Sequence, residues 1–205
     1  MSDIEFSSTE SIASYGIGIQ MGQQLKAAFA DVSLAAALAG VKDAFNGDEQ
    51  QLSNDQINEA FQVIQRQIEA EKAGDALLAS KEGEAFLAEN AKRQEVTVTD
   101  SGLQYEVLTE GDGDIPTTSA KVRTHYRGTL IDGTQFDSSY DRGQPAEFPV
   151  TGVIAGWTEA LQKMKVGSKW KLYIPYQLAY GERGAGGAIG PYQALIFDIE
   201  LLAIV

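Results

Sequence analysis

The chain has 205 residues, a formal net charge of −13, no cysteine and one histidine. That excludes a disulfide framework, a thiolate nucleophile and cysteine-bound or multi-histidine metal centres, so no cofactor or metal is expected. The acidic balance argues against a nucleic-acid partner, which needs clustered Lys and Arg, and the 43% apolar fraction suits one large packed domain or two small ones.

The opening "MSDIEFSSTESIASYG" has acids where a signal peptide needs a basic stretch, and no apolar run follows it. No run approaches the ~18 apolar residues of a membrane span. The expectation is a soluble cytoplasmic protein with no membrane partner. A first helix is predicted from about Ser11 to Ala30, with Gly18 and Gly22 at i and i+4 beside Tyr15, Leu25 and Phe29. Two glycines on one face fit close approach of another helix, and they equally fit chance or simple local packing.

Leu34, Leu38, Val41 and Phe45 repeat at helical spacing, and Asn46-Gly47 is a stop signal. The next helix starts at "LSNDQI": Ser53 can cap, Gln56 can reach back, and Leu52 with Ile57 fits a hydrophobic staple. Ile57, Phe61, Ile64 and Ile68 form a stripe, and helix-favouring sequence runs on to about Arg93, weakened at Gly74 and Gly83. Past Ile68 the apolar positions thin to Leu77, Leu78, Phe86 and Leu87, so this helix is either a solvated spacer or packs partly on another chain. Three helices offer a thin core for a monomer, and burial against a second copy would remedy that.

Near Val96 the composition changes. Residues 1–95 carry a net charge of −9 and no proline, whereas residues 96–205 carry −4, all five prolines and twelve of the eighteen aromatics. Strands are predicted at Leu103–Leu108, Val122–Gly128, Glu147–Val150, Trp170–Ile174 and Ala194–Ile204. "IAGWTEALQKM" is a helix that turns Trp157, Leu161 and Met164 to one side. With no strand–helix–strand alternation, the class is α+β: an all-α N-terminal region with a long connecting helix, then an antiparallel sheet with a short helix.

The chemistry narrows by exclusion. His125 lies on the opposite strand face from Tyr126, between two arginines, and reads as an exposed strand histidine rather than a catalytic one. No Ser–His–Asp set is evident. "GERGAGGAIG" lacks the GK[ST] ending of a phosphate loop and lies between strand-like segments, so it reads as a hairpin or flap. What remains is an apolar aromatic site with polar tips, drawing on Tyr126, Phe136, Phe148, Trp157, Tyr180 and Phe197. Asp137, beside Phe136, needs a partner there, and a tyrosine hydroxyl is the natural one.

These segments carry a resemblance. "VRTHYRGTLIDGTQFDSSYDRGQPAEFPVTGVIAGWTEALQKMKVGSKWKLYIPYQLAYG" and "GAIGPYQALIFDIELL" closely resemble an FKBP-type peptidyl-prolyl cis-trans isomerase over about Thr97 to Val205. "SYGIGIQMGQQL" and the long acidic helix resemble the helical dimerisation domain of bacterial FKBPs of the macrophage-infectivity-potentiator type. The resemblance implies a dimerisation domain over 1–95, including a linker helix at about 53–93, and an isomerase domain over 96–205 with a twisted FKBP-like sheet wrapped on its helix.

It further implies a proline pocket walled by Tyr126, Phe136, Val153, Ile154 and Phe197, floored by Trp157 and flanked by Phe148. Phe136 and Asp137 sit at a strand end, and the loop returns through Pro145. Asp137 would be held by the Tyr126 hydroxyl, with Arg142 a further candidate. Tyr180 would offer its hydroxyl to a substrate carbonyl, Ile154 its backbone N–H to bound ligand, and Ile189 would cap the site from the flap. Ala146 and Ala185 stand where better-known members carry larger residues, which implies an open rim and an altered preference before proline. The implied partners are unfolded or partly folded proline-containing chains, a second copy of the chain, and macrolide inhibitors. The rival expectation is a chaperone-like binding module in which isomerisation is secondary.

Overall fold

The computed structural model describes residues 6–205, so expectations for the first five residues lie outside the described residues. The chain groups into two compact units, one ending at Ala70 and the other spanning Glu71–Val205.

The first unit holds α1 (Thr9–Ala28), α2 (Leu34–Asn46) and the start of α3 (Asn54–Asn90). Each helix begins on a serine. Ser8 and Ser11 exchange side-chain and backbone bonds at 3.1 and 3.2 Å, and Ser33 accepts from the Ala36 N–H at 3.3 Å. At α3 the expected capping box is present, with the Ser53 N–H donating to Gln56 at 3.0 Å and the Gln56 N–H to Ser53 at 3.3 Å. Gly47 ends α2 in the left-handed region at φ 72, which a residue with a Cβ rarely adopts. Neither α1 nor α2 buries a residue, and Phe45 at the end of the α2 stripe is 90% exposed. Among the described residues, no helix is long and apolar enough to cross a membrane.

The second unit is a seven-stranded antiparallel sheet. Its strands are β1 (Val96–Val98), β2 (Gln104–Thr109), β3 (Lys121–Leu130), β4 (Gln135–Ser138), β5 (Ala146–Pro149), β6 (Lys169–Ile174) and β7 (Leu195–Ile204). The order is β1-β2-β6-β7-β3-β4, with β5 also paired to β3. All five predicted strands are present within a residue or two. Short β1 has no periodic signal and is an addition, and the strand end at Phe136 proves to be β4.

The short helix α4 (Ala155–Leu161) lies on the inner face, where Leu161, Met164, Leu172, Ile174, Ile199 and Leu201 are fully enclosed. A Cβ at Gly156 would fall 2.6 Å from Ile174 Cγ2, so glycine is what lets α4 lie close on β6. The later turns of α3 pack on this unit, burying Ala79, Gly83 and Asn90. Gly74 and Gly83 do not break α3, which is helical through both.

Candidate active site

One cleft of about 620 Å³ opens on the inner side of the sheet, and all ten residues expected at the site line it. Strand alternation turns Tyr126 of β3 and Phe197 of β7 inward, and both are nearly buried. Gly128, two residues beyond Tyr126 on the same face, carries no ring for a reason. A Cβ there would lie 2.5 Å from Phe136 and 2.7 Å from Phe197. Its absence lets those rings meet edge to face, with centroids 5.5 Å apart at 81°.

Trp157, in the first turn of α4 and 4% exposed, forms the floor. Tyr126 and Phe197 each meet it at 5.2 Å and Phe148 meets it at 5.8 Å, all near perpendicular. Its indole Nε1 is buried without a partner among the described residues, which no periodicity signal foretold. Val153 and Ile154 enter from the turn before α4.

The polar end is built by β4 and the turn after it. The Tyr126 hydroxyl donates to Asp137 Oδ2, Arg142 Nη1 donates to Oδ1 at 2.5 Å, and Arg142 Nη2 donates to the Tyr126 hydroxyl at 2.7 Å. The guanidinium also lies 5.5 Å from the Tyr126 ring centroid. Partial burial pushes the Asp137 carboxyl up, but the Tyr126 hydroxyl and Arg142 outweigh it, holding the group below the usual carboxylate range. Burial, then the hydrogen bond to Asp137, pushes the Tyr126 phenol up, so the pair is a neutral phenol on a charged carboxylate.

Tyr180 stands at the mouth, 40% exposed, and its hydroxyl has no partner among the described residues. Burial and the nearby Asp137 charge push its phenol up, so it remains a donor. The Ile154 N–H is also unpaired among the described residues, because Ile154 is the N-cap residue of α4. The glycine-rich segment forms the expected hairpin, with Ala185 and Ile189 exchanging backbone bonds at 2.8 and 3.1 Å. Gly184 makes it possible: its φ is +66, and a Cβ would fall 2.1 Å from the Ile189 carbonyl oxygen.

Ala146 sits in β5 opposite Thr124 and packs on the core, and Ala185 lines the cleft wall. One expectation is corrected. His125 is half-buried rather than exposed, because the turn after β4 folds over it. Its Nδ1 is 2.9 Å from Ser139 Oγ and its ring stacks on Tyr140 at 4.8 Å. Ser139 in turn accepts from the Tyr126 N–H at 2.8 Å, so the lone histidine braces the site from behind. Among the described residues, no group of three or more His, Asp and Glu could hold a metal ion.

The sheet wrapped on one helix thus presents an aromatic cleft with one pinned carboxylate, and the family is shown by known proteins. Residues 113–202 match the family described as FKBP-type peptidyl-prolyl cis-trans isomerase, and residues 10–107 match the domain amino terminal to it. The FKBP-type 22 kDa peptidyl-prolyl cis-trans isomerase of Escherichia coli is 50% identical over 200 residues, covering 97% of each chain. The peptidyl-prolyl cis-trans isomerase Mip of Coxiella burnetii is 40% identical, covering 93% of this chain and 85% of its own. The crystal structure of FkpA from Escherichia coli matches with a TM-score of 0.74 at 34% identity, covering 98% of each chain. The chain belongs to the FKBP-type peptidyl-prolyl cis-trans isomerases.

Proposed function

We propose that this cleft performs the isomerisation by taking the substrate's proline ring among Phe136, Trp157 and Phe197, with Phe148, Val153 and Ile154 closing its sides. Rotation about an X–Pro bond faces a barrier of ~18–20 kcal/mol and breaks no covalent bond, so the task needs neither nucleophile nor metal. At the twisted transition state amide resonance is lost and the carbonyl becomes less polar. An apolar cleft then favours the twisted form over the planar, hydrated one.

Tyr180 and the Ile154 N–H orient the peptide through its carbonyls, and Ile189 caps it. Asp137 is a fixed charge that shapes the polar end, not a proton carrier. The observation that carries this reading is the joint hold of Tyr126 and Arg142 on Asp137 at the edge of an otherwise aromatic cleft. The test is an X–Pro tetrapeptide assay. Phe197→Ala and Asp137→Ala should each lower kcat/KM roughly tenfold or more, about 1.4 kcal/mol of transition-state stabilisation. Parental rates in both variants overturn these roles. Macrolide inhibitors would occupy the same cleft and compete with the peptide.

The N-terminal region, through the linker helix to about residue 95, would serve dimerisation and capture of unfolded or partly folded proline-containing chains. Support comes from α1, where Ile12, Tyr15, Ile17 and Ile19 stay exposed. A Cβ at Gly18 or Gly22 would meet nothing within 4 Å in the same chain, which leaves room for a partner backbone. A second reading, a chaperone-like clamp with secondary isomerisation, draws on the uncovered apolar face of α2 at Leu34, Leu38 and Phe45. Cytoplasmic placement belongs to the same proposal. One relative, 39% identical, carries the name "Outer membrane protein MIP", and fractionation of cells expressing the native gene discriminates.

A further inference from the structure

The second half of α3 is more than a connector. Ala79, Gly83 and Asn90 are buried and Ala76, Ser80, Phe86 and Leu87 half-buried, while the other residues of this stretch face solvent. Steps of three and four place these positions on one face. That face rests on the ends of the paired strands β6 and β7. Phe86 packs on Tyr173 with ring centroids 6.0 Å apart, and Arg93 Nη1 donates to the Tyr173 hydroxyl at 2.8 Å. Just before the other strand, a Cβ at Gly83 would lie 3.1 Å from Ala194 Cβ.

These two contacts flank the two ends of the chain segment that forms one wall of the cleft. Tyr173 pairs with Ile196 and Ile174 with Leu195, and the chain between β6 and β7 carries Tyr180 and Ile189. Its return is clasped just before Ala194. Tyr192 is left-handed at φ 58, donates its N–H to the Gly181 carbonyl at 3.0 Å, and sets its ring edge on Tyr176 at 5.1 Å. Ala194 is itself 2% exposed, so it cannot yield toward solvent. A methyl at Gly83 would demand a shift of a few tenths of an ångström at this contact, on which the clasped segment rests.

We propose that Gly83 is a positioning residue for the isomerase cleft. By admitting the helix backbone against Ala194, it sets the base of the Tyr180–Ile189 segment and so the height of the flap over the substrate. Gly74, on the same helix, serves as the comparison, since a Cβ there meets nothing within 4 Å. The inference rests on the roles proposed above for Tyr180 and Ile189.

The experiment uses the full chain and compares Gly83→Ala, Gly74→Ala and the pair Gly83→Ala with Ala194→Gly. Kinetics are read on tetrapeptides that vary the residue before proline, alongside backbone amide shifts of Ala185 to Ile189. Gly83→Ala should lower kcat/KM about three- to tenfold, reorder the preference before proline and move the flap amides, because small displacements of positioned groups cost rate steeply. Gly74→Ala should match the parent, and adding Ala194→Gly should restore most of the loss. A loss that only follows the folded fraction, or that Ala194→Gly does not relieve, overturns the proposal.

Flap amides that stay in place overturn the part given to the Gly83 contact alone. Amides that move with no kinetic change overturn it together with the roles of Tyr180 and Ile189. If Gly83→Ala does not fold, Ala194→Gly by itself opens the same contact and should move the same amides. Unmoved amides there overturn the inference.

Discussion

The two ends of this molecule use apolar residues in opposite ways. In the sheet unit, Leu103, Leu172 and Ile199 are fully enclosed, because β6, β7 and β3 close around α4. In α1 and α2 no residue is buried, although α2 carries a clear apolar stripe. An apolar pattern specifies a face to be covered, and the covering surface must come from elsewhere. The sheet unit finds that surface within itself. The helices, on the proposal above, find it on a second copy.

The largest expected effect tests the self-sufficient side. Leu172→Ala should cost about 2–5 kcal/mol of stability, with a thermal midpoint that does not depend on protein concentration. For the helical side, the proposal predicts a midpoint that rises with protein concentration, since association stabilises by mass action. Ile17→Asp, on the exposed face of α1, should remove that dependence and shift sedimentation from dimer to monomer. A helical transition indifferent to concentration breaks the comparison.

The smallest effect concerns pH. The Asp137 pKa is lowered, so its contribution to stability is present above the ordinary aspartate value of ~3.9 and is lost as pH falls through the lowered value. The Tyr126 pKa is raised, so its contribution is present below the ordinary tyrosine value of ~10 and is lost as pH rises through the raised value. Neither group titrates between, so kcat/KM should vary less than about twofold from about pH 5 to about pH 9. A sigmoidal dependence centred there that persists in a His125→Gln variant would contradict the account.

The aromatic residues of the cleft and Asp137 carry local signals, whereas Val153, Ile154 and Ile189 are expected only from the resemblance of their segments to a known family. Tyr126 stands in an alternating strand, Trp157 on a helical stripe, and Asp137 beside an inward aromatic that demanded a partner. The illegible parts are defined by three bodies at once. Gly128 matters because Phe136 and Phe197 converge on it from two other strands. Gly83 looks like a helix weakness along the chain and becomes a contact only once Ala194 is brought against it. Likewise, His125 between two arginines gives no hint that Tyr140 will fold back over its ring. Composition places a change near Val96, whereas packing divides the chain after Ala70, because the later turns of α3 rest on the sheet.

The most direct test compares the full chain with residues 71–205 on two substrates, an X–Pro tetrapeptide and a protein whose refolding is limited by proline isomerisation. The account predicts peptide kcat/KM within about twofold of the full chain, while acceleration of refolding falls by roughly a hundredfold, the scale that linked binding sites contribute. A peptide rate that collapses with the helices, or a refolding rate that survives their loss, would contradict it.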